Sequence, residues 1–176
     1  MSLQIVSKIF PINFNTNIMK KTVFALTIMA TVACSPKEAE NPFFTEWDTP
    51  YGIPDFNAVE ECHYLPAIEA GIAQQQAEID AIIANTEAPT FANVVEAYEK
   101  SGAILDRVIG VLFNLSETDG TDSLNAIVEQ VLPLISVHSD NIFMNPAFFA
   151  KVEVLYNDME NLGLTQEQKM VLTKLY

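Results

Sequence analysis

Apolar residues return every three, four or seven positions along most of this chain, the spacing that gathers them on one side of a helix. Leu65, Ile68, Ile72, Ile79, Ile82 and Ile83 predict a first long helix from about His63 to Ala84, and Asn85 to Pro89 break it. Phe91, Val94, Val95, Tyr98, Leu105, Val108, Leu112 and Leu115 predict a second from about Thr90 to Leu115. Within it Gly102 and Gly110, eight residues apart, predict close approach to a neighbouring helix. Ser116 to Ser123 reads as a polar turn around Gly120. A third helix follows from about Leu124 to Met144, with Leu124, Ile127, Val131, Leu134, Ile135 and Ile142 inward and a kink expected at Pro133.

Asn145-Pro146 is a cap followed by proline at the first helical position, and it opens a fourth helix through about Asn161 that Gly163 ends. Thr165-Gln166-Glu167-Gln168 is a capping box for a fifth. That helix runs apolar through Met170, Val171, Leu172 and Leu175 to Tyr176, and so reads as cut off within its own apolar face. Strand alternation and internal repeats are missing from the sequence. The fold class expected is all-α, a helical array of five helices in up-down order.

The segment ahead of the helices has a different pattern. Met19-Lys20-Lys21, the apolar run Thr22 to Ala33 and then Cys34-Ser35-Pro36 are the parts of a bacterial lipoprotein signal, in which Cys34 becomes the lipidated first residue. The run is short of the roughly 20 residues a spanning helix needs. Thr31 departs from the motif, which favours a larger aliphatic residue three before the cysteine. Ordinary signal-peptidase cleavage, or a structural Cys34 in an uncleaved helix, stay open as alternatives. Met1 to Ile18 fit no part of an export signal, so Met19 reads as the true start.

Three segments result: an extension and signal over 1–33, a tether and extended docking segment over 34–54, and a helical body over 55–176. Four prolines mark the tether, and Phe43, Phe44, Trp47 and Tyr51 are its expected anchors. Ser35 after the cysteine, in place of an aspartate retention signal, leans toward the outer membrane, with the protein facing the periplasm.

All 23 acidic residues follow Cys34 with only six basic ones, a net charge of −17 on the mature part. Nucleic acid and anionic lipid are poor partners for such a surface, and the expected contact with membrane is through the lipid anchor only. Plentiful aliphatic and aromatic residues argue for one compact domain with one core. With Cys34 lipidated, Cys62 has no internal partner and reads as a half-buried structural thiol beside Glu60 and Glu61.

Catalytic constellations are missing. His63 and His138 are 75 residues apart, and neither has a ligand at metal spacing except the adjacent Cys62, which a helix points elsewhere. The sequence holds no H-E-x-x-H, P-loop, G-x-S-x-G or dinucleotide fingerprint. Glu60 with Glu61, and Glu96 with Glu99, stand at spacings any acidic helix surface produces. His138, one turn after Leu134 and one before Ile142, reads as a packing histidine. No catalytic or metal-binding residue is assigned, and no cofactor in this chain.

Longer motifs add what spacing does not. Asn41-Pro42-Phe43-Phe44, Trp47, Thr49-Pro50-Tyr51-Gly52-Ile53-Pro54 and His63-Tyr64-Leu65-Pro66-Ala67-Ile68-Glu69-Ala70-Gly71 open a pattern. It continues through Glu78-Ile79-Asp80-Ala81-Ile82, Asn85, Pro89-Thr90-Phe91, Asn93, Gly102 to Val108, Phe113-Asn114-Leu115 and His138-Ser139-Asp140-Asn141-Ile142. From Asn41 to Tyr176 the chain resembles the N-terminal region of the M3 zinc metallopeptidases, most of all the exported peptidyl-dipeptidase branch. Val94 departs from the threonine common in the family after that asparagine.

The resemblance implies a helical piece of one wall of a deep channel that admits short peptides. In the family the zinc is held by an H-E-x-x-H helix and a downstream glutamate, far beyond the position matching Tyr176. The chain is therefore expected to be an inactive N-terminal fragment whose partner is the missing catalytic region. The parent would release C-terminal dipeptides with zinc as cofactor. A free-standing helical lipoprotein that binds or scaffolds is the alternative. As a wall fragment, its wet apolar surface is expected around Met170, Val171, Leu172 and Leu175 and along the Pro133 helix.

Overall fold

The computed structural model describes residues 41–176. The signal segment and Cys34 lie outside the described residues. Among these, the secondary structure is helical throughout, with five longer helices: α1 (Tyr64–Ala84), α2 (Ala103–Asp119), α3 (Asp122–Phe143), α4 (Pro146–Asn157) and α5 (Gln166–Leu175). None of the described helices is long and apolar enough to cross a membrane.

The helices α3, α4 and α5 each start where a polar side chain meets their unpaired amides. The Thr121 hydroxyl accepts from the Leu124 amide at 3.2 Å, and Asn145 Oδ1 accepts from the amides of Ala147 and Phe148 at 2.9 and 3.2 Å. At the head of α5 the capping box forms as expected: Thr165 accepts from the Gln168 amide while Gln168 Oε1 accepts from the Thr165 amide. A 3-10 turn, Glu61–His63, precedes α1, with the Glu60 amide donating to His63 Nδ1 at 2.9 Å. That bond assigns the ring proton of neutral His63 to Nε2.

The second predicted helix is not continuous. It begins as a π segment, Phe91–Glu96, headed by a reciprocal Thr90–Asn93 box, passes through one turn, Ala97–Glu99, and breaks before α2 starts at Ala103. The cause is Gly102, which sits at φ +77°, a left-handed conformation that no helix interior adopts. Apolar periodicity runs on across the break because both pieces bury the same side.

Gly110, expected at a close contact, faces open space, and the close approach is at Gly71 instead. A Cβ there would stand 2.9 Å from the Leu105 backbone, so α1 and α2 touch main chain to main chain. The expected eight-residue polar turn shrinks to Gly120 and Thr121, since α2 runs on to Asp119 and α3 starts at Asp122. Similarly, α4 stops at Asn157 and the chain turns through to Gly163, whose φ is +64°. Pro133 is exposed within α3, so the Glu129 carbonyl that its ring deprives of a donor also lies toward water.

Two apolar clusters form where one core was expected. The first joins Phe43, Tyr64, Ile68, Leu105, Val108 and Leu112 with Val131. The second joins Ile79, Ile82, Val94, Val95 and Ile142 with Phe148, Leu155 and Leu172. Leu134, expected inward, is exposed. In α5, by contrast, Leu172 is fully buried, Val171 and Leu175 are half-buried, and Tyr176 stacks on Tyr156 at 3.9 Å. Met170 is exposed and Tyr176 half exposed, while the rest of the α5 apolar face is used against α4 and the π segment. The exposed large apolar residues lie mainly elsewhere, at Val137, Phe143, Met144 and Val154.

Candidate functional site

Two polar arrangements stand out. The first ties the docking segment to the body. Asn41 is buried, accepting from the Phe43 amide through Oδ1 and donating from Nδ2 to the His63 carbonyl at 2.9 Å. Arg107, from α2, donates through Nη1 to the carbonyls of Phe43 and Thr45 at 3.0 and 2.9 Å. Its guanidinium also lies 5.3 Å from the Trp47 ring centroid, a cation–π distance. Phe43 is fully buried against Trp47 and Tyr64.

Of the four expected anchors, Phe43 and Trp47 dock and Phe44 and Tyr51 do not. Tyr51 is 99% exposed at φ +66°, since the Pro50–Gly52 turn throws its side chain outward. The Trp47 indole N–H is buried and meets no acceptor among the described residues.

The second arrangement joins three elements in mid-body. His138 Nε2 donates to Gln75 Oε1 at 2.8 Å, Gln75 Nε2 donates to Ser101 Oγ at 3.3 Å, and Ser101 Oγ donates to the Tyr98 carbonyl at 2.7 Å. Beside them Glu78 accepts from the Gly102 amide at 2.8 Å. The acceptor at Gln75 fixes the neutral tautomer of His138 with its proton on Nε2. Burial lowers the His138 pKa below the ordinary histidine value. The Tyr98 phenol is raised by burial and by the charges of Glu99 and Asp106.

These geometries hold structure, and Glu78 and Ser101 of the second also line an open surface pocket with Asn85, Asn93 and Lys100. His138 is the packing histidine the sequence suggested, and His63 caps a turn. Glu61 accepts from Ser123, and Glu96 pairs with exposed Lys100 at 3.3 Å. Cys62 is half-buried but is no free thiol, against the expectation of a lone one; that expectation depends on Cys34, which lies outside the described residues.

Among the described residues no three histidine, cysteine, aspartate or glutamate side chains converge on a point that could hold a metal. A zinc ion does not fit these residues. The sequence reading quoted Glu78 and Arg107 within the family pattern without giving them a role, and it passed over Gln75 and Ser101. Arg107 alone carried a signal, as a single cation inside an apolar helical stretch.

Comparison with known proteins places this framework. Over 127 residues, 72% of the chain, it is 35% identical to the dipeptidyl carboxypeptidase of Salmonella typhimurium. The dipeptidyl carboxypeptidase of Escherichia coli gives the same identity over the same length. This chain is a homologue of M3-family peptidases. Oligopeptidase A of Salmonella typhimurium is 24% identical over 122 residues, or 69% of the chain. No protein-family model matches. The M3 homology spans about a fifth of the curated relatives' length, 19% of each dipeptidyl carboxypeptidase and 16% of the oligopeptidase.

Proposed function

We propose that this chain is the N-terminal, non-catalytic helical part of a lipid-anchored, zinc-dependent peptidyl-dipeptidase, and that it supplies wall rather than chemistry. The observation that carries the reading is the 35% identity to dipeptidyl carboxypeptidases over 72% of this chain and only 19% of theirs. The parent protein removes dipeptides from the C-termini of short peptides. Its zinc is held by residues outside this chain, because His63 and His138 are spent on a cap and a packing bond. Cys34 carries the lipid, and the helical body faces the periplasm from the outer membrane. Exposed Val137, Phe143, Met144 and Val154 support a surface that meets further protein.

One observation favours the alternative of a free-standing helical binding or scaffolding lipoprotein: fully buried Leu172 shows that α5 closes its core with this chain's own residues.

Antibody against residues 41–176 decides between them when used to capture material from solubilised host envelopes. The expected result is chelator-sensitive release of C-terminal dipeptides by the captured protein, with labelled palmitate incorporated and lost on Cys34→Ala. Captured protein without that release sinks the peptidase reading. Equal labelling of the variant, or an N-terminal peptide in which Cys34 is unmodified or disulfide-linked, sinks the anchor.

A further inference from the structure

The polar side chains of Gln75, Glu78, Ser101 and His138, with the Gly102 amide, lie where the two apolar clusters meet. Along α1, Ile68 and Ile72 belong with the first cluster and Ile79 and Ile82 with the second, and Gln75 and Glu78 stand between them. Tyr98 packs on the second cluster and Ile104 on the first, with Ser101 and Gly102 between. In α3, Ile135 joins the first and Ile142 the second, with His138 between. Three separate helical stretches therefore change from one cluster to the other at one level, and each does so through a polar residue. The bonds His138–Gln75–Ser101 and Glu78–Gly102 cross that level from one stretch to the next.

We infer that this polar layer is a seam dividing the helical body into two units that open independently, with α1 as their shared spine. Apolar contacts couple neighbours strongly because every truncated methylene is felt by what packs on it. A layer of directional hydrogen bonds fixes register between the halves, but it lacks the interdigitated apolar contacts through which a truncation is felt. The backbone break at Gly102 lies in the same layer, so the chain there has no continuous helix to carry cooperativity across. Local opening in contiguous units is the general behaviour of folded chains, and clusters with separate cores are its natural boundaries. The inference stands on packing alone and does not depend on the peptidase reading.

Native-state hydrogen exchange of the full chain, resolved by peptide, tests it with one truncation in each cluster. Ile68→Ala is expected to speed exchange at least roughly 30-fold in first-cluster peptides of α2 and the start of α3. The π segment and α4 change by less than about twofold. Leu155→Ala is expected to give the reverse. Should either variant fail to fold, Val131→Ala and Val152→Ala replace them with a smaller loss in the same clusters. Exchange that rises together in both clusters for either truncation means one cooperative body and overturns the seam.

Discussion

Gly71 sets how closely α1 and α2 approach, because a side chain there would meet the Leu105 backbone, which has nowhere to move. Gly71→Ala is therefore expected to cost about 1–3 kcal/mol, the usual price of overpacking, read as a lower midpoint in urea unfolding. Gly110→Ala meets open space and serves as the control, with stability unchanged or slightly raised by better helix propensity. Sequence spacing named Gly102 and Gly110 and passed over Gly71, because spacing shows neither φ nor what lies opposite. His138 was legible, since one apolar turn on each side predicts burial; its partner Gln75, 63 residues away, was not.

A second consequence follows from the lowered His138 pKa. The unfolded chain, with an ordinary histidine pKa near 6.5, binds the proton more readily than the folded one. Stability from keeping His138 neutral is thus fully present above about pH 6.5 and is lost as pH falls through the depressed folded value. Urea midpoints measured from pH 7.5 down to 5.5 are expected to fall more steeply in the wild type than in His138→Leu. Parallel curves contradict that assignment.

The docking segment is held by few atoms. Arg107 gives it two charged hydrogen bonds and a ring contact, while Phe43 supplies the buried surface. Arg107→Ala is expected to leave α1 to α5 folded by circular dichroism, with proteolysis appearing within Asn41–Tyr51. Arg107→Lys restores charge but not the two-carbonyl reach, and protects only partly. Cleavage confined to other segments contradicts the role given to Arg107. The helices themselves were readable from apolar period and caps, down to the Thr165–Gln168 box. The break at Gly102 was not, as both pieces turn the same apolar side to the body and the period runs through without a gap.

Five helices and two clusters make a body whose C-terminal helix is packed rather than stranded, and whose wet apolar residues lie on α3 and α4, at Tyr51, Ile53 and Phe56 ahead of α1, and at Met170 on α5. Sequence predicted the all-α class and the M3 resemblance, and of the two wet apolar surfaces it expected, the Pro133 helix carries exposed Leu132, Leu134 and Val137, whereas on α5 Val171, Leu172 and Leu175 are partly or fully covered. Apolar period identifies a buried face without saying which neighbour covers it. The most direct measurement is the size of the host protein that carries this segment, read by immunoblot of envelope fractions with antibody to residues 41–176. A lipidated species several times the 19.5 kDa of this chain is the predicted result, and a single species at or below that mass would contradict the account.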